Sequence, residues 1–295
     1  MAKRVRMQNY EKRIKQGKGI GKGSEYKPWI TIQDVSSKGR VTRVNGILTG
    51  RQHEFLSDME KNYFYIVEFS DNVIDIREQY PLLPIEDTIL IAKELGIKHP
   101  KHPKTGEDIV MTTDFLVTVS TGDEIKEMAR TIKSKDDLSN KRVLEKFEIE
   151  RVFWQKRGVD WGIVTEEEID KTISFNISSI HSYKDITSID SLNDMNSLHI
   201  KDLIYEFISR IVDDKRSMRD ICFEFDSDML LDNGTAIAIF KHLLINKIIQ
   251  IEMKERIDIN KHIVIKTIYE NNMKKVDFIW LLLILCTNTW KMKKE

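Results

Sequence analysis

Thr113-Asp-Phe-Leu-Val-Thr-Val119 and Ala129-Arg-Thr-Ile-Lys133 decide how this chain is read. Both runs have the β-branched and aromatic composition of strands, and Gly122-Asp123 between them supplies a turn. The pair predicts a β-hairpin, with Asp114 entering the first strand and Lys133 leaving the second. Alternation sets Asp114, Leu116 and Thr118 on one face, and Ala129, Thr131 and Lys133 on one face of the partner. An acid and a lysine that meet across a hairpin can hold a divalent cation beside a phosphate. They can equally form a surface ion pair, and the hairpin alone does not choose between the two.

Upstream, a helix is expected from Ser57 to about Phe69, with Met59, Tyr63, Ile66 and Val67 on its core face. Ser57 and Glu60 have the S-x-x-E spacing of a capping box. Glu60 therefore has a structural reason to be acidic, beside its functional reading as a carboxylate aimed towards the sheet. A strand from Val73 to Arg77 follows, and the prolines of Tyr80-Pro-Leu-Leu-Pro84 rule out a helix there. Ile89 to Leu95 reads as a short helix ended by Gly96. His99 and His102 sit among prolines without cysteine partners, which favours a basic loop over a metal site.

Downstream, a helix from about Leu138 to Lys156 carries Val143, Phe147, Glu150 and Trp154 on one stripe. A carboxylate on a buried stripe is costly unless it is paired or metal-bound, so Glu150 is either a boundary residue reaching solvent or part of a site. With a further strand from Asp160 to Thr165, the order describes an α/β layer with a mixed sheet.

At 295 residues, with 41% hydrophobic and 32% charged residues, the chain reads as a soluble globular protein of two domains. Cys222 and Cys286 are far apart and lack metal-ligand spacing, which suggests a reducing, cytoplasmic setting. No apolar leader is visible at the N-terminus, and the apolar run Phe278–Cys286 is short of the roughly 17–25 residues needed to cross a bilayer. No membrane role is expected.

The charges are unevenly placed. Met1 to Arg51 holds 13 Lys/Arg against three acids, Glu11, Glu25 and Asp34. A polyanion is the natural partner for such an end. Gly17-Lys-Gly-Ile-Gly-Lys-Gly23 lacks phosphate-loop spacing and reads as part of a flexible basic arm. Tyr26 to Arg51 reads as strand and turn, with turns at Lys38-Gly39 and Asn45-Gly46. Arg40, Arg43, Arg51 and Lys98 are the candidate DNA-backbone contacts.

Ser174 to Ser197 is rich in Ser, Asn, Asp and Thr, and divides the chain into a first domain at 1–173, a linker at 174–198 and a second domain at 199–295. Three helices are expected in the second domain, at Ile200–Asp213, Met218–Phe225 and Gly234–Asn246. Two strands, Ile248–Met253 and His262–Thr267, complete the order of a winged helix. Its third helix offers only Lys241, His242 and Lys247 to a nucleic acid, which favours protein docking. The apolar tail Phe278–Trp290 fits a core strand, a dimer contact or a docking peptide.

Leu56-Ser-Asp-Met-Glu60, Asp75-Ile-Arg-Glu-Gln-Tyr-Pro-Leu-Leu-Pro84, Gly96-Ile-Lys-His-Pro100, Met111-Thr-Thr-Asp-Phe-Leu-Val117 and Leu144-Glu-Lys-Phe-Glu-Ile-Glu-Arg151 resemble TnsA, the endonuclease subunit of heteromeric cut-and-paste transposases. Gly17-Lys-Gly with Tyr26-Lys-Pro-Trp29 belongs to the same likeness, which runs from about Tyr10 to Asp170. The resemblance implies a restriction-endonuclease-like mixed sheet flanked by helices, followed by a mainly helical winged-helix domain. It implies Mg²⁺-dependent cutting at the 5′ ends of a transposon, with Mn²⁺ able to substitute. A TnsB-like transposase would handle the 3′ ends, and a TnsC-like ATPase would regulate the reaction. Glu60, Asp114 and Lys133 fall on the family's catalytic positions, Glu60 and Asp114 as metal ligands, and Glu150 on an acidic position near the site. The family carries Gln or Glu two residues before the lysine, where this chain has Thr131. The Ile132 carbonyl or water would then serve as the remaining ligand. Two other readings fit the residues: a non-catalytic DNA-binding adaptor that recruits partners through the winged helix, and a stand-alone structure-specific nuclease.

Overall fold

The computed structural model describes residues 10–34, 40–122 and 124–269. The chain divides into two compact units, Met1–Asp170 and Lys171–Glu295. The Lys38-Gly39 turn, Asp123, Cys286 and the apolar tail Phe278–Trp290 lie outside the described residues.

The first unit is built on a mixed sheet of four strands, β3 (Val73–Pro81), β4 (Thr112–Thr121), β5 (Glu124–Ile132) and β6 (Asp160–Val164), in that spatial order. Before it, β1 (Thr42–Asn45) and β2 (Gln52–Phe55) form the hairpin expected around Asn45-Gly46. β3, β4 and β5 are antiparallel neighbours, and β6 runs parallel to β5. The parallel pair needs a crossover, which the helix between the two strands supplies.

Alternation along β4 divides the core. Phe115 and Val117 join Phe55, Phe64, Ile76 and Ile132 on the side of helix α1 (Asp58–Glu68). Leu116 and Ala129 join Ile91, Ile149, Phe153 and Trp154 on the side of helices α2 (Ile85–Glu94) and α3 (Lys141–Gln155). Both faces are apolar because both are covered. Burying one such phenylalanine contributes about 1.5–3 kcal/mol relative to leaving it in water.

The basic stretch Met1–Ser24, read from its charge as a flexible arm, is ordered over its described residues 10–24, and the segment that follows continues it to residue 34. Residues 10–15 are helical, and the glycine run after them packs on β3. Gly19 has φ 77°, and a Cβ there would lie 2.3 Å from Pro81 Cγ, so only glycine permits the approach. Gly23 N–H donates to Asp75 Oδ1 (3.1 Å), the Tyr26 hydroxyl to the Glu78 carbonyl (3.0 Å) and Trp29 N–H to the Gln79 carbonyl (3.2 Å). The segment is a strap along the outer edge of β3, where an uncovered strand would present unpaired carbonyls.

The second unit departs from the expected plan at its start. The stretch 174–198, read as a linker, begins inside helix α4 (Lys171–Ile180), which buries Ser174, Asn176, Ile177 and Ile180. Composition misled because Asn176 acts as a structural polar group. Its amide donates to the carbonyls of Met253 (3.0 Å) and Glu255 (2.7 Å), and its oxygen accepts from Ile257 N–H (3.0 Å). Helices α5 (Ser197–Asp213), α6 (Met218–Asp228) and α7 (Thr235–Ile245) follow at the expected places. Asp226, buried on α6, accepts from the Gly234 and Ala236 N–H groups (2.7 Å each) and so caps α7. The expected strand pair is reduced to β7 (Ile249–Gln250) and β8 (Thr267–Ile268), two residues each. Among the described residues no helix is long and apolar enough to cross a membrane.

Candidate active site

Asp114 is the centre of the site, and the sheet is deformed around it. The β4–β5 ladder runs from Thr121↔Glu124 to Phe115↔Arg130 and stops one residue short of Asp114. Beyond it, Ile132 N–H donates to Asp114 Oδ2 (2.7 Å), so the carboxylate takes the bond a ladder partner would otherwise have. On the other side, Gln79 Nε2 donates to Asp114 Oδ1 (3.1 Å). Strict alternation fails here. Thr113, not Asp114, turns to α3, where its hydroxyl donates to Glu150 Oε1 (2.6 Å) and accepts from the Trp154 indole (2.7 Å).

Glu60 arrives on the first turn of α1, and its capping box is real. Glu60 N–H donates to Ser57 Oγ (3.2 Å) and Ser57 Oγ donates back to Glu60 Oε1 (2.9 Å). Leu56 N–H completes the set on Oε2 (3.0 Å). The cap and the site are not alternatives, because the cap fixes the carboxylate that faces Asp114. Burial, and then the Asp114 charge, raise the Glu60 carboxyl above its usual range. Asp114 is raised too, by burial, against the opposing pull of Ile132 N–H, the Gln79 amide and the Lys133 charge.

Glu150 sits on the buried face of α3 with Ile149, Phe153 and Trp154. Burial pushes its carboxyl up to about 7, although the hydroxyls of Thr113 and Thr131 bind its charged form. Thr131 is thereby explained. It faces α3 and donates to Glu150 Oε1, while accepting from the Trp161 indole (3.3 Å). An acid on the helix lies where an acid on the strand was expected. Lys133 is more open, its side chain 36% exposed, and its ammonium pairs with Asp137 (3.1 Å) just beyond β5.

The Asp114 charge is thus felt by Glu60 and Glu150 and is balanced in part by Lys133, so the fold brings the other three sequence candidates around Asp114. Among the described residues, no group of three or more His, Cys, Asp or Glu side chains could hold a metal ion together, which leaves Glu60 and Asp114 as a candidate pair. The donors are carboxylates alone, the set suited to a hard cation that keeps several waters.

The DNA-contact candidates fare differently. Arg51 is a correction: its side chain is 8% exposed and ion-paired with Glu78, and it also donates to the Ile76 carbonyl (2.9 Å). A turn-region arginine looked available because its acid lies 27 residues away, on another strand. Arg43 is exposed and pairs with Glu54 (2.9 Å), and Arg40 and Lys98 are exposed. His99 is buried, within reach of Thr88 (3.0 Å) and Asp108 (3.1 Å), and pins its loop to α2.

Sequence reasoning passed over Gln79 and the buried group Arg51, His53 and Glu78. Part of their signal was present in Asp75-Ile-Arg-Glu-Gln79, four polar residues in the mostly buried edge strand β3. Such a run implies partners, but does not name them.

A mixed sheet with helices on both faces, and buried carboxylates that one strand and two helices bring together, is consistent with a nuclease fold. A family model described as TnsA-like endonuclease N terminal matches residues 70–166, and one described as TnsA endonuclease C terminal matches residues 168–253. The transposon Tn7 transposition protein TnsA of Escherichia coli is 44% identical over 173 residues, which are 59% of this chain and 62% of that relative's length. The chain belongs to the TnsA-like endonuclease family.

Proposed function

We propose that this chain is the metal-dependent DNA endonuclease of a transposition complex, cutting phosphodiester bonds at the 5′ ends of the transposon. The observation that carries the reading is the cluster of buried carboxylates whose charges meet at Asp114. Excess negative charge in a desolvated site favours either protons or a cation, and a cation is what phosphate cleavage needs.

Glu60 and Asp114 are the residues that would hold Mg²⁺ or Mn²⁺. When bound, the ion supplies charge compensation at the phosphate and a more acidic water. In hydrolysis the water oxygen bonds to phosphorus, one ester P–O bond breaks, and the leaving oxygen takes up a proton. Lys133 offsets charge that develops on the phosphate oxygens and helps to place the water. Glu150 stays inside, and holds Thr113 and Thr131 on either side of the Asp114 backbone position. Arg40, Arg43 and Lys98 remain candidates for contacts to the DNA backbone.

The second unit, with helices α5–α7 and a minimal strand pair, is read as a winged-helix-like module that docks partners. A TnsB-like transposase at the 3′ ends and a TnsC-like ATPase regulator are the partners of this reading. The test is Asp114→Ala in transposition reconstituted with Mg²⁺. Loss of 5′-end cutting with 3′-end joining retained is expected, and 5′-end cutting at the wild-type rate would overturn the assignment.

A further inference from the structure

We infer that Gln79 is a positioning residue that sets the Asp114 carboxylate for the metal, an inference that rests on the proposed nuclease reading. Gln79 has φ 48°, a left-handed conformation that residues with a Cβ rarely adopt, and it does so inside a buried strand. The β3–β4 ladder steps from Glu78↔Phe115 to Tyr80↔Thr113 and omits the Gln79–Asp114 pair. The turn in the backbone sends the Gln79 carbonyl outwards to Trp29 N–H (3.2 Å), and the side chain lies against Asp114.

Chemistry fixes which end of the amide does what. A charged carboxylate only accepts, so the Gln79 NH₂ end must face Asp114 Oδ1 (3.1 Å). The carbonyl end then accepts from the Thr112 hydroxyl (3.1 Å), so both ends of the amide are held. With Ile132 N–H on Oδ2 (2.7 Å), each Asp114 oxygen holds one donor, from β3 on one side and β5 on the other. The carboxylate plane is clamped, and each oxygen keeps a lone pair for a further ligand. A neutral donor suits this place, because Lys or Arg would cancel the charge a cation must find. Strain at a single residue beside a reactive group, held by strap and strand together, is the pattern of a preorganised site.

The experiment uses the full chain with three measurements: Mn²⁺ binding followed by the electron paramagnetic resonance of free Mn²⁺, melting without metal, and 5′-end cutting with the partner proteins. Gln79→Met keeps the side-chain length and removes the donor. Gln79→Gly also releases the backbone strain. Both are expected to weaken Mn²⁺ binding about 10–100-fold, the usual loss when a residue that orients a metal ligand is changed. Gln79→Gly is expected to melt no lower than Gln79→Met, so metal affinity falls without a matching loss of stability. Should both variants fail to fold, Thr112→Val, which removes only the hydroxyl that orients the amide, replaces them and is expected to weaken Mn²⁺ binding in the same direction. Wild-type Mn²⁺ affinity and cutting in a folded Gln79→Met, or wild-type affinity in Thr112→Val where it stands in, would overturn the inference. Asp114→Ala separates the two claims. If it binds Mn²⁺ and cuts like wild type, the nuclease assignment fails. If it loses both while Gln79→Met loses neither, only the role of Gln79 fails.

Discussion

The first unit buries Glu78 on β3 and, separately, Glu60, Asp114 and Glu150 around β4, and the two sets behave oppositely. Glu78 is fully buried, and burial alone would raise its carboxyl. Hydrogen bonds from Arg51 and His53 outweigh that penalty and hold it at about 2. Glu60, Asp114 and Glu150 meet the same penalty without a cation in contact, and all three are pushed up. Burial therefore does not mark the site by itself. Several buried acids that converge without a paired cation do, whereas the lone buried Asp226 is held by the Gly234 and Ala236 N–H groups it caps.

The comparison breaks most sharply at Glu78. Glu78→Gln leaves Arg51 and His53 buried without their acid, and should cost about 3–5 kcal/mol in urea unfolding. A loss below about 1 kcal/mol would mean the pairing is not what holds Glu78 charged. Glu150 should move the other way. Its folded-state carboxyl is raised to about 7, so its stabilising contribution is present below the ordinary pKa near 4.5 and is lost as pH rises through 7. Glu150→Gln, which keeps an acceptor for both threonines, should therefore be more stable than wild type at pH 8–9, by on the order of 2–3 kcal/mol, and should show no such gain at pH 4–5. Melting both proteins across that range checks the sign. Glu78 itself works in reverse: its contribution is present above the ordinary pKa and disappears as pH falls towards 2. The smallest effect belongs to Ser57→Ala. Loss of the helix cap should cost about 1 kcal/mol and also free the Glu60 side chain, so cutting should fall further than stability explains.

Much of the site was legible because its acids obey local rules. Ser57-x-x-Glu60 names both a cap and the residue it holds, the strand pattern pairs Asp114 with Lys133 without choosing between a site and an ion pair, and helical spacing puts Glu150 inside. What was not legible depends on register between distant segments. Arg51 reads as a DNA contact until β2 and β3 are placed side by side, when Glu78 claims it. Gln79 gives no hint of a positive φ, since only its neighbours on both edges make that conformation tolerable. Thr131 looked like a missing ligand until α3 supplied Glu150 beside it. The second unit repeats the lesson, because Asn176 in a polar stretch reads as spacer until the 253–257 loop comes back to it.

The strap has a practical consequence for anyone who cuts the gene. The matched N-terminal family model begins at residue 70, so a fragment made to that boundary lacks Glu60 and everything before it. It would lose more than one acid. The Ile76, Glu78 and Gln79 carbonyls, now occupied by Arg51, Tyr26 and Trp29, would stand open along a bare strand edge. Such an edge is a template for strand addition, and the strand closest to hand in a concentrated preparation is another copy of the same fragment.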